Sequence, residues 1–156
     1  MAARAIEGLR KERPVYQNLL DAAIETYAAI RLQQGYPAEA LAYYEQIQWG
    51  SLGVRNLNDT LGIVRHATCL KLVERPAEAE RLLVDAYRRA TDSGQAPPHV
   101  LRSLIDPLVA LYDEQHRPDR AAAWRAKLEA LSAEPANGDP GDVNGWGALP
   151  VGGPRR

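Results

Sequence analysis

The sequence of 156 residues is poor in several features that mark particular classes of protein. A single cysteine excludes a disulfide framework and a cysteine-rich metal site. The formal net charge of -1 provides no broad positive field, so we expect no nucleic-acid partner. No apolar run reaches the length of a membrane span or a signal peptide, so we expect no membrane contact and a cytoplasmic location. Phenylalanine is absent, and leucine, alanine, tyrosine and tryptophan have to fill the core.

The main feature that the sequence does contain is an internal repeat. Three prolines, Pro37, Pro76 and Pro118, are spaced by 39 and then 42 residues, and each is followed three residues later by an alanine. An isoleucine stands thirteen residues before each proline, so the register extends upstream as well. A fixed period of this length indicates an array of supersecondary units.

Each unit reads as two helices. Apolar residues recur at intervals of three and four on both sides of each proline, and no segment alternates with the period of a strand. Proline is well tolerated in the first turn of a helix, which places each repeated proline at the start of a second helix. The sequence therefore predicts an all-α fold of about three helix pairs, with helices at 15–34, 37–48, 58–73, 76–92, 99–115 and 118–132.

The repeat defines three regions of the chain. Residues 14–132 form the predicted repeat domain, residues 1–13 a terminal helical remnant or cap, and residues 133–156 a disordered tail rich in glycine and proline. Pro107 falls inside the fifth helix, where it should kink the helix; alternatively, Asp106 caps a new helix start there.

The spacing of small residues resembles the tetratricopeptide repeat. The residues that carry this resemblance are Ala28 and Ala67 in the first helices, Gln34-Gly35 at the first turn, and Ala40, Ala79 and Ala121 in the second helices. The longer period resembles the repeats at the C-termini of large bacterial regulatory proteins. Val109, Arg31 and Arg125 depart from the family pattern.

The resemblance implies an α-α hairpin solenoid with a concave groove lined by the first helix of each pair. On this register the middle of the groove is basic and its C-terminal end is acidic. The implied groove residues are Glu25, Thr26, Ala29, Gln33, Leu61, Val64, Arg65, Thr68, Lys71, Ser103, Asp106, Ala110, Asp113 and Glu114.

The residue pattern gives little support for a catalytic site or a metal site. His66 and Cys69 share a helix face, but no orienting acid or further ligand accompanies them, so we interpret both as core residues. The carboxylates are scattered over helix surfaces, and no glycine-rich loop follows a strand. We therefore expect no enzyme activity, no metal and no cofactor.

The leading hypothesis is a non-catalytic scaffold that binds a protein or peptide in its groove, as the C-terminal interaction module of a larger bacterial regulatory protein. The alternative is a structural protein that self-assembles through exposed repeat ends. Trp124, Leu128 and Leu131 on the last helix lack a covering segment. That flank predicts a homodimer through the last helix or, alternatively, a tail that folds back over it.

Overall fold

The computed structural model describes residues 14–47, 49 and 57–133. Six helices lie within these residues, and no strand does, which confirms the all-α prediction. The predicted remnant or cap at 1–13 lies outside the described residues. Of the predicted tail at 133–156, Ala133 is instead the last residue of the sixth helix, and the rest lies outside the described residues. The helices are α1 (Pro14–Gln33), α2 (Pro37–Tyr44), α3 (Leu57–Leu72), α4 (Pro76–Asp92), α5 (Pro98–Glu114) and α6 (Pro118–Ala133).

Proline starts most of these helices. Five of the six described helices begin at a proline, whose missing N–H group costs nothing in the first turn. Most boundaries lie within one residue of the prediction, but the second helix ends at Tyr44 rather than at 48. Beyond Tyr44 the backbone tightens, because Gln46 and Ile47 donate to carbonyls only three residues earlier. This tighter turn buries Ile47.

The interior proline does not divide the fifth helix. α5 continues through Pro107 from Pro98 to Glu114, so the alternative prediction of a new start capped by Asp106 is wrong. Buried Leu104, Leu108 and Leu111 lie on one side of α5 across this point. Their packing stabilises the continuous helix against the lost backbone hydrogen bond.

The helices pack in a regular order. α1 packs on α2, α3 on α4 and α5 on α6, and each second helix also contacts the first helix of the next pair. The first helices contact one another in succession, α1 with α3 and α3 with α5. Ala40, Ala79 and Ala121 are fully buried, as expected for the points where paired helices approach most closely.

The three turns within the pairs share one backbone geometry. Gly35, Glu74 and His116, each two residues before the repeated proline, have φ angles of 84°, 61° and 55°. In each turn, two backbone N–H groups donate to carbonyls three and five residues earlier, which is the Schellman arrangement. Only the first turn carries glycine, so the other two hold a side chain in the left-handed region at a cost of about 1 kcal/mol each.

Within the described part of the chain, no helix combines the length and the apolar composition that a membrane span requires.

Candidate functional site

The first open groove lies between α1 and α3 and has a volume of about 520 Å³. Both apolar and charged side chains line it, and two large apolar ones remain accessible: Ile30 is 45% exposed and Leu61 is 38% exposed. Accessible aliphatic side chains in a concave surface are a common feature of binding sites. The lining residues are Ala22, Glu25, Thr26, Ala29, Ile30, Gln33, Asp59, Leu61 and Arg65.

An ion pair crosses this groove from one helix to the other. The Arg65 guanidinium donates to the Glu25 carboxylate, with Nη1 and Oε1 3.3 Å apart. Burial raises the pKa of Glu25, and this effect outweighs the opposing attraction of Arg65. The groove therefore presents a cation and a partly desolvated carboxylate side by side, beside its apolar residues.

A second groove lies between α5 and α6 and has a volume of about 430 Å³. Its charges are also paired in part, since Arg125 Nη2 lies 2.6 Å from Asp113 Oδ2. Asp113 and Arg125 join the two helices across the groove. The lining residues are Asp106, Val109, Ala110, Asp113, Arg125, Leu128 and Glu129.

The structure distributes the predicted groove residues over these two grooves. Of the fourteen predicted residues, Glu25, Thr26, Ala29, Gln33, Leu61 and Arg65 line the first groove, and Asp106, Ala110 and Asp113 line the second. The other five, Val64, Thr68, Lys71, Ser103 and Glu114, line neither of them.

The charges predicted for the middle of the groove are neutralised by neighbours. Lys71 Nζ lies 2.7 Å from Glu114 Oε2, so this pair connects α3 to α5. The exposed Thr68 hydroxyl donates to the Val64 carbonyl of its own helix. The two basic residues predicted to line the middle of the groove, Arg65 and Lys71, are therefore both held by carboxylates of adjacent first helices.

Sequence reasoning missed part of both linings. Ala22 could have been found, because it lies one turn before the predicted Thr26 on the same stripe of α1. The resemblance implied a groove lined by first helices alone. It therefore did not indicate the three lining residues that come from a second helix, Arg125, Leu128 and Glu129.

The histidine and cysteine on α3 belong to the core, as predicted. Cys69 is fully buried, and the His66 ring stacks on Tyr44 with the ring centroids 5.7 Å apart. The Trp49 indole N–H donates to His66 Nδ1 at 3.1 Å. Burial lowers the pKa of His66 and raises the pKa of the Cys69 thiol to about 11. The thiol is therefore protonated at neutral pH and does not have the low pKa of a reactive cysteine.

Among the described residues, no three His, Cys, Asp or Glu side chains form a group that would hold a metal ion. The fold and the two grooves define an all-α protein with open, partly apolar surface clefts. No protein-family model, curated protein or solved structure matches the chain.

Proposed function

We propose that this protein is a non-catalytic helical-repeat scaffold that binds a peptide or protein segment in the groove between α1 and α3. The observation that carries the proposal is the exposure of Ile30 and Leu61 beside the Glu25–Arg65 pair in one concave surface. Aliphatic contact supplies binding free energy, and neighbouring charges supply orientation and specificity.

A tetratricopeptide-like arrangement supports this function. The order of helix contacts, with first helices in succession and each second helix bridging to the next pair, is the order that such an array needs. The shared turn geometry also supports equivalent units. By the same resemblance, the scaffold serves as the C-terminal interaction module of a larger bacterial regulatory protein.

The groove favours a particular kind of segment. An aliphatic side chain of the ligand would contact Ala29, Ile30 and Leu61, while Gln33 at one end offers hydrogen bonds to a polar backbone. Because Glu25 and Arg65 already neutralise each other, a segment with both a basic and an acidic residue can exchange partners with them. A ligand whose charges all have the same sign gains less binding free energy from this pair.

Selection from a displayed peptide library followed by titration tests the proposal. Ala29→Glu narrows the groove and adds a negative charge, so it should weaken a selected peptide by at least about tenfold, or about 1.4 kcal/mol. Ala42→Glu makes the same change at an exposed position of α2 outside the groove and should leave affinity unchanged. Failure to select any peptide, or equal affinities for the two variants, would contradict binding in this groove.

A further inference from the structure

The outer face of α1 is apolar and open. Leu19, Ala23, Tyr27 and Ile30 follow one another at intervals of four, four and three residues, which places them on one stripe of the helix. Leu19 is 69% exposed, and Tyr27 and Ile30 are each 45% exposed. Three of the large apolar side chains that remain accessible in the described residues therefore lie on this single stripe.

The same register positions are buried in the other two first helices. In α5 the equivalent residues are Val100, Leu104, Leu108 and Leu111, each no more than 1% exposed. In α3 the equivalents of Ala23, Tyr27 and Ile30 are Gly62, His66 and Cys69, which are also buried. α3 and α5 each pack on the second helix of the preceding pair. The stripe on α1 is thus the face by which one helix pair joins another.

Two tyrosines of the first hairpin extend this face. The residues equivalent to Tyr36 are Arg75 and Arg117, and both form ion pairs with carboxylates of the preceding pair. The residue equivalent to Tyr43 in the last pair is Trp124, which packs edge-on against a tyrosine of α4. We call Leu19, Ala23, Tyr27, Ile30, Tyr36 and Tyr43 together the N-terminal face.

The corresponding face of α6, the last described helix, is polar. On α4 three positions of this face hold Leu83, Tyr87 and Ala90. The equivalent residues of α6 are Arg125, Glu129 and Ser132, and all three are exposed. Docking the N-terminal face of one copy onto α6 of another would bury these charges against apolar side chains. Head-to-tail stacking of copies is therefore unfavourable, and a second copy would meet the N-terminal face at a lower cost through its own N-terminal face.

The composition of the N-terminal face suits contact with itself. Arg31 lies over the rings of Tyr27 and Tyr36, with its guanidinium carbon 4.8 Å from the Tyr36 centroid, and it is neutralised by Glu39. Tyr27 already packs edge-on against Tyr43, with centroids 4.7 Å apart. Tyrosine and arginine are enriched among the energetically dominant residues of interfaces, and a face without net charge does not repel its copy.

We infer that the N-terminal face is the interface of a two-fold symmetric homodimer in which α1 of one copy packs on α1 of the other. It is a different interface from the one through the last helix that the sequence alone had indicated. The interface is isologous, which means that both copies use the same surface patch. Every contact therefore occurs twice, once on each side of the two-fold axis. Ile30 also lines the groove between α1 and α3, so a second copy and a bound peptide would share this side chain. The inference itself rests on the stripe of α1 and does not require peptide binding.

Light scattering coupled to size-exclusion chromatography tests this on the full chain across a range of concentrations. The unmodified protein should have twice the chain mass of 17.2 kDa. Leu19→Glu combined with Tyr27→Glu should shift the mass to that of one chain, because it places four buried charges in a two-fold interface. Leu72→Glu changes a leucine that is 59% exposed on α3, outside the face, and should leave the dimer intact. Circular dichroism checks that both variants remain helical.

Two results would overturn the inference. A dimer that persists in the double variant places the interface elsewhere, for example on the last helix. An unmodified protein that stays at the mass of one chain up to about 1 mM shows that copies do not occupy the face. If the double variant of that monomer also unfolds at a much lower urea concentration than Leu72→Glu, residues 1–13 of the same chain cover the face instead.

Discussion

Replacing Gly62 by alanine should destabilise the protein, although the same change normally stabilises a helix. Gly62 lies inside α3, and a Cβ built on it would lie 2.5 Å from Trp49 Cη2 and 2.7 Å from Cζ3. Carbon atoms prefer separations of about 3.5–4.0 Å, so the indole would have to move by about 1 Å. Overpacking of this kind costs about 1–3 kcal/mol, whereas alanine gains about 1 kcal/mol over glycine in helix propensity. We expect a net loss of about 1 kcal/mol.

A double-mutant cycle isolates the cause. In a Trp49→Ala background the obstruction is removed, so Gly62→Ala should become stabilising by up to about 1 kcal/mol. The remaining close neighbour, Glu25 Oε1 at 3.0 Å, belongs to a side chain that can rotate. In a Trp124→Ala background, where the missing indole belongs to α6 and packs on Tyr87 of α4, the original loss should persist. Urea unfolding followed by circular dichroism at 222 nm measures all variants, and stabilisation by Gly62→Ala in the unmodified protein would refute the packing of Trp49 on this glycine.

Two further predictions concern the turns and the buried histidine. Glu74→Gly and His116→Gly should each raise the free energy of unfolding by about 0.5–1 kcal/mol, because they remove side chains held at positive φ; an unchanged urea midpoint in both would contradict this. Because burial lowers the pKa of His66, the stabilising effect of its neutral form is complete above about pH 6.5 and is lost as the pH falls through the folded-state pKa. His66→Gln should therefore flatten the decline in urea midpoint between pH 7 and pH 5, and an equally steep decline in this variant would contradict the expectation.

The helices and their order were predictable from the sequence because two independent signals coincide. The repeated proline marks the start of each second helix, and apolar residues at intervals of three and four mark the buried stripes. The prediction failed where local propensity and tertiary packing disagree. Residues 45–48 read as helix, but the chain turns after Tyr44, which places Trp49 beside Gly62 and His66.

The candidate site was less accessible to sequence reasoning. The stripe of groove residues on α1 follows from helical spacing, and the structure places Glu25, Ala29 and Gln33 around one groove. The pairing of charges between helices does not follow from spacing, because it depends on the offset between helices that are about 40 residues apart in the chain. Arg65 and Lys71 therefore read as a free basic patch, although each is held by a carboxylate from a neighbouring helix.

The shared turn geometry determines where the array can change its length. α1, α3 and α5 all end four residues before the repeated proline, so the turn itself is constant. The periods of 39 and 42 residues differ by three residues, of which two fall in the second helices and the segments that follow them, and one in the first helices. The second helices differ most, since α2 has 8 residues and α4 has 17. Insertions and deletions should accordingly be tolerated between pairs and not within them. A hybrid array assembled from units of different length would best be joined in the segment between a second helix and the next first helix.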